Sequence, residues 1–218
     1  MKISVVCSSM QHPIWSRLEH WCKQTMADQH EVQLVQTASE LVAGDFLFLV
    51  SCGELIKANV RANYRHVLVL HASDLPEGRG WSPYIWDVLA GKQALTLCLL
   101  EAEDKVDRGR IWFKQTIPLK GHELLTEIHE VLFSAEIELM TRAIVEVDRV
   151  IPYAQPFVEG DPHPLRFPAD SEISVDKTVR EQFNHLRVVD NERFPAFFRL
   201  HGRRYRLLID DLGPDDDA

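Results

Sequence analysis

The stretch Leu70–Pro83, LHASDLPEGRGWSP, carries the residue types that could do chemistry. It follows the apolar run His66-Val67-Leu68-Val69-Leu70, which has the composition of a buried strand, and it has no apolar periodicity of its own. Loops at the carboxyl ends of buried strands are where α/β proteins place reactive groups. His71, at the exit of that run, can serve as a general base, a metal ligand or a capped structural residue. Ser73 adds a hydroxyl two positions on, and Arg79, Gly80 and Trp81 supply a cation, a flexible backbone position and an aromatic face.

Several chemistries lack their frame. No GxGxxG or Walker-type loop follows a strand, so nucleotide-cofactor binding of those types has no support. No G-x-S-x-G elbow frames Ser73 as a hydrolase nucleophile. The ten histidines form neither HxxxH nor HxH, so no metal site is expected, and His163 in Asp161-Pro-His-Pro reads as a turn residue.

The elements that must position the loop can be read from periodicity. Lys2–Val6 forms a short strand ending in Cys7-Ser8-Ser9, and Pro13–Ala27 carries Ile14, Leu18, Trp21, Cys22 and Met26 at helical spacing. Glu31–Val35, Phe46–Val50 and His66–Leu70 are further strands, the last two apolar throughout, as in central strands of a parallel sheet. A helix entered at Ser82-Pro83 is closed by Gly91, and strands follow over Ala94–Leu100 and Arg110–Thr116, joined by a polar loop. A long helix runs from Gly121 to about Asp148, with Leu124, Ile128, Leu132, Ile137 and Ala143 as its stripe. The order implies a doubly wound, mostly parallel α/β sheet of Rossmann-like type, with helices on both faces.

After Val150 the character changes. Five prolines fall between Pro152 and Pro168, then a helix is expected over Thr178–Asp190 and a hairpin over Ala196–Ile209. We place a boundary near Ile151, between a catalytic domain of residues 1–150 and a small α+β extension of residues 151–218 ending in an acidic tail.

Composition narrows the partners. The 218 residues carry a formal net charge of −9, which argues against nucleic acid, although five arginines cluster between Arg193 and Arg206. No apolar run approaches a membrane span and no leader opens the chain, so a cytoplasmic protein is expected. Four widely spaced cysteines without a CxxC pair suit reduced thiols.

The pattern His71-x-Ser73-x-Leu75-Pro76-x-x-Arg79-Gly80, followed by Val106-Asp107-x-Gly109-x-Ile111, resembles the folate-dependent formyltransferases. The longer form H-x-S-D-L-P-x-G-R-G-W-S-P and the stretch Arg166–Leu207, with its R-x-P-x-D-S opening and P-A-F-F strand, resemble the sugar N-formyltransferases in particular. The resemblance implies the formyltransferase fold, 10-formyltetrahydrofolate as formyl donor, and transfer to the primary amine of a nucleotide-linked amino sugar by a homodimer. By the same resemblance, His71 and Asp107 flank the reacting centre, with Ser73 beside them. The folate ring would lie between the loops Ser51-Cys52-Gly53 and Ala102–Asp107, Val106 included. Arg79, Gly80, Trp81 and Arg187 are the candidates for the nucleotide sugar. The family's asparagine two residues before the histidine is replaced here by Val69. That departure keeps open a binding module of the same fold without turnover. Formylation of glycinamide ribonucleotide or of initiator tRNA are same-fold alternatives.

Overall fold

The computed structural model describes residues 1–158 and 160–214. Six strands form one sheet in the order β2-β1-β3-β4-β5-β6. They are β1 (Lys2–Val6), β2 (Glu31–Val35), β3 (Gly44–Leu49), β4 (Tyr64–His71), β5 (Ala94–Glu101) and β6 (Ile111–Pro118). The first four run parallel, and β5 and β6 are antiparallel to their neighbours, so the sheet is mixed at one side. The chain leaves β1 in one direction to β2 and returns on the other side to β3 and β4, which creates a switch point between β1 and β3. Loops at the carboxyl ends of strands flanking such a point form a crevice.

The helices are α1 (Trp15–Ala27), the short α2 (Ala58–Arg61), α3 (Pro83–Leu89), α4 (Leu125–Val145) and α5 (Val179–Arg187). The main core lies on one face of the sheet, where Leu18 and Trp21 of α1 and Ile128, Leu132, Leu139 and Met140 of α4 cover Val5, Phe46, Phe48, Leu68, Leu97 and Leu99. Each such large aliphatic side chain contributes about 1.5–3 kcal/mol on burial. Trp21 Nε1 donates to Thr141 Oγ1 at 2.9 Å and fastens α1 to α4.

The other face has the lighter helical cover. There Val6, Leu47 and Leu49 are joined by Ile56, Tyr64, Val67, Val69, Cys52 and Ala102, with only α2 and a one-turn 3-10 helix (Ala38–Glu40) nearby. Val67 and Val69 are consequently half-buried rather than enclosed. These strands can be apolar on both faces because two short helices and the connecting loops cover the second face.

Beyond Val150 the Pro-rich segment runs along the first unit as a strap. Tyr153 exchanges two backbone hydrogen bonds with Ile111, and His163 forms a bridge with Gly80. α5, opened by a Thr178–Glu181 capping box, and the hairpin β7 (Ala196–Leu200) and β8 (Arg203–Leu207) follow, with Leu186, Val189 and Ala196 as a small core. The acidic tail from residue 215 lies outside the described residues.

Candidate functional site

His71 is the last residue of β4, buried beneath the loop it opens. That loop folds back tightly. Ser73 N donates to the His71 carbonyl, and Ser73 Oγ donates to the Glu77 carbonyl at 2.9 Å. Gly78 has φ +66°, and a Cβ there would lie 2.8 Å from Ser73 Cβ. The turn brings the Gly78 carbonyl to 3.1 Å from His71 Nε2. A carbonyl only accepts, so Nε2 carries a hydrogen.

The second loop joins β5 to β6. Asp107 adopts the left-handed conformation, φ +57°, which an L-residue holds at a cost of about 1–2 kcal/mol. Its carboxylate turns inward. Oδ1 lies 3.4 Å from His71 Nδ1, and Oδ2 accepts from Gly80 N at 3.0 Å. Both side chains are almost wholly buried, 8% and 7% exposed, so solvent screens the pair weakly. Two acceptors therefore flank the imidazole, the Gly78 carbonyl at Nε2 and the Asp107 carboxylate at Nδ1. Gly109 completes the turn where a Cβ would overlap the Glu101 carbonyl, so the chain can pass only as glycine.

The structure thus brings together His71, Asp107 and Gly80. It places Ser73 differently from expectation: its hydroxyl hydrogen serves the Glu77 carbonyl and shapes the loop. Asp74, the next polar neighbour, pairs with Lys114 at 2.6 Å. Val69 is half-buried and packs in apolar clusters on its face of the sheet.

The loops expected to flank a ring also converge. Cys52 and Ala102 belong to the same apolar cluster, and Arg61, which reaches the Ile56 carbonyl, pairs with Asp104 of the second loop. Ser51, with φ +48°, approaches His12 Nε2 at 3.1 Å, and Gly53 N donates to Ser8 Oγ at 2.8 Å. Leu55 and Val106 project from these loops, 60% and 64% exposed.

Of the residues proposed for a larger substrate, Arg79 is half-buried and reaches the Gly160 carbonyl, while Trp81 is exposed at the mouth of α3. Arg187 is a correction. It is 2% exposed, with Nε donating to the Glu123 carbonyl and Nη2 to Glu123 Oε2 at 3.1 Å. It pins α5 to the turn before α4, because an enclosed guanidinium requires a carboxylate partner.

Two contributors were not legible beforehand. His163 stacks on Trp86 with centroids 5.3 Å apart, and its backbone pairs with residues 79 and 81. Gly80 must be glycine because a Cβ would strike the His163 backbone. Gln155 Nε2 donates to the carbonyls of Asp107 and Gly109. The only prior signal was negative: a Pro-rich segment without periodicity.

The family model described as "Formyl transferase" matches residues 8–144. Methionyl-tRNA formyltransferase of Rickettsia rickettsii (strain Iowa) is 27% identical over 116 residues, which are 53% of this chain and 38% of the relative. The chain thus spans well under half the length of that curated relative. Among solved structures, HypX from Aquifex aeolicus in complex with tetrahydrofolic acid has a TM-score of 0.73 at 21% identity, covering 94% of this chain and 36% of that one. A sugar N-formyltransferase from Shewanella sp FDAARGOS_354 has a TM-score of 0.73 at 15% identity, covering 98% and 99%. With its matched region extending over most of the sheet and both loops of the His71–Asp107 pair, the chain belongs to the formyl transferase family.

Proposed function

We propose that the protein is an N-formyltransferase that moves a formyl group from 10-formyltetrahydrofolate to the primary amine of a nucleotide-linked amino sugar. The observation that carries the reading is the buried contact of His71 Nδ1 with Asp107 Oδ1 at the carboxyl edge of the sheet. A likeness in fold to a tetrahydrofolate-bound protein supports the donor. The residues fit a flat ring in kind: the loops Ser51–Gly53 and Ala102–Val106 converge through Cys52 and Ala102, with Leu55 and Val106 as exposed apolar surface.

When bound, such a donor supplies an activated one-carbon acyl group whose oxygen gains negative charge as an amine adds. His71 presents ring N–H groups that stabilise charge at that oxygen once Nε2 exchanges the Gly78 carbonyl for it. Asp107 holds the ring in place and is the nearest carboxylate to take the proton that the attacking amine must lose. Gly80 N, bonded to Oδ2, keeps that carboxylate aimed. Arg79 and Trp81 stand beside the loop as contacts for the nucleotide.

The amino-sugar assignment is supported by the long loop motif and by the net charge of −9, which disfavours a polyanionic tRNA. Among the described residues the C-terminal extension holds one α-helix, a one-turn 3-10 helix (Pro168–Ser171) and a two-stranded hairpin. We place the protein in the cytoplasm as a homodimer; among the described residues no helix is long and apolar enough to cross a membrane. A second reading, a binding module without turnover, draws on Val69 and on the Gly78 carbonyl that now caps His71.

Purified protein incubated with 10-formyltetrahydrofolate and a panel of amino-sugar nucleotides tests the assignment. Formylated sugar is expected. Stabilisation by 5-formyltetrahydrofolate, about 2.7 kcal/mol at 100 times its dissociation constant, without product from any amine would leave the binding module. Product only with initiator tRNA or glycinamide ribonucleotide would move the substrate.

A further inference from the structure

Asp107 faces His71 from a left-handed backbone conformation, which costs energy for any residue but glycine even though aspartate tolerates it better than most. Something must hold it there. The neighbouring turn is already constrained at Gly109, where the backbone passes against Glu101. The carbonyls of Asp107 and Gly109, two residues apart, point to one place, and a single group occupies it. Gln155 Nε2 donates to both, at 3.1 and 2.7 Å.

The side-chain amide is used unevenly. Both hydrogens of Nε2 have acceptors, whereas Gln155 Oε1 is buried without a partner among the described residues. An unpaired buried acceptor is destabilising, so burial alone does not account for glutamine at this position. A methionine would fill the same volume without the orphan oxygen, and a glutamate would face two carbonyls with no hydrogen to give. Only a two-hydrogen donor of this length clamps the turn. The strap delivers it accurately: Tyr153 is locked to Ile111 by two backbone hydrogen bonds, and Arg110 bonds the Pro152 carbonyl.

We propose that Gln155 is a positioning residue, which sets the conformation of residue 107 and through it the contact between Asp107 and His71. The inference rests on that pair being the reacting centre, but its test needs no formyl transfer. Imidazole nitrogen chemical shifts of His71 in the full-length protein, at one fixed pH, report whether a carboxylate faces Nδ1. Signals are assigned by their loss in His71→Gln, and Asp107→Asn supplies the reference for a ring without the carboxylate. In Gln155→Met and Gln155→Glu the Nδ1 shift is expected to move most of the way to the Asp107→Asn value. Arg110→Ala, which loosens the same strap and leaves Gln155 in place, is expected to keep the wild-type shift. Wild-type shifts in either folded Gln155 variant would overturn the proposal. So would movement in Arg110→Ala equal to that in Gln155→Met, since any loosening of the strap would then suffice. Loss of folding in both Gln155 variants would also overturn it, making the residue a requirement of the fold instead.

Discussion

His71 Nδ1 and Asp107 Oδ1 lie 3.4 Å apart although His71 ends β4 and Asp107 lies in the loop between β5 and β6, and both side chains are shut away from water. The contact exists because β4 and β5 are adjacent and antiparallel, with His71 opposite Cys98. The loop after β5 leaves beside the middle of β4, where Ala102 N donates to the Val67 carbonyl, and then returns to bring Asp107 to His71 at the end of that strand. If the pair carries proton transfer and charge stabilisation, His71→Ala and Asp107→Asn each lower formyl transfer by about 100-fold or more. Steady-state kinetics check this, with stabilisation by 5-formyltetrahydrofolate expected to persist in both variants.

Val69 stands where the resemblance to the formyltransferases implies an asparagine, and Ser73 and Asp74 are both engaged elsewhere, with the Glu77 carbonyl and Lys114. Val69→Asn is expected to raise turnover, up to about 100-fold if a missing oxyanion donor is the main deficit. It should also lower the melting temperature, because an amide enters an apolar cluster at a cost of about 1–3 kcal/mol. A fall in turnover would mean that His71 or a backbone N–H already fills that position.

Arg187 and Glu123 form an ion pair at 3.1 Å with side chains 3% and 12% exposed. Removing one member leaves the other buried without its charge partner, so Arg187→Ala should destabilise the protein by about 3–5 kcal/mol. Denaturant titration measures it. The Michaelis constant for the amine should be unchanged in Arg187→Lys if that variant folds; a raised constant at unchanged stability would return Arg187 to the substrate site.

Three buried groups predict how stability depends on pH. Burial, with the charge of Arg193 adding to it, lowers His12 to about 4. Burial above all, with His12 the next cause, lowers His129 to about 4 as well. Between pH 6.5 and 4 the unfolded chain therefore binds protons that the folded chain does not, and stability falls on acidification. Glu136 acts in reverse. Burial raises it to about 8, so the folded chain keeps a proton that the unfolded chain releases from about pH 4.5, and stability falls as pH rises toward 8. Two histidines outweigh one carboxyl below pH 6.5, and the carboxyl acts alone above it. These groups place the stability maximum near pH 6.5. Melting curves across pH should show it, and Glu136→Gln should raise stability at pH 8, on the order of 1–3 kcal/mol, with little gain at pH 4.5.

Gly109→Ala should be the most damaging single methyl group in the site, because the added Cβ would overlap the Glu101 carbonyl. Loss of several kcal/mol, roughly the upper end of single-residue effects, is expected. Hydrogen exchange at the β5–β6 turn would locate the damage.

Local pattern was enough for the elements and for the reactive loop. Apolar runs such as Phe46–Leu49 have no stable place outside a sheet interior, and the stripe on α4 needs a core to cover. The motif after Leu70 and the Val106–Ile111 motif named His71 and Asp107 through their resemblance to the formyltransferases. Periodicity is silent on everything that depends on where a hydrogen bond ends. The hydroxyl of Ser73 serves its own loop, and the guanidinium of Arg187 closes on Glu123. The strap sets Gln155 and His163 against the two loops through backbone carbonyls. Backbone carbonyls are the same in every residue, so contacts made to them leave almost no mark on the sequence. Only the folded chain decides which side chain reaches them.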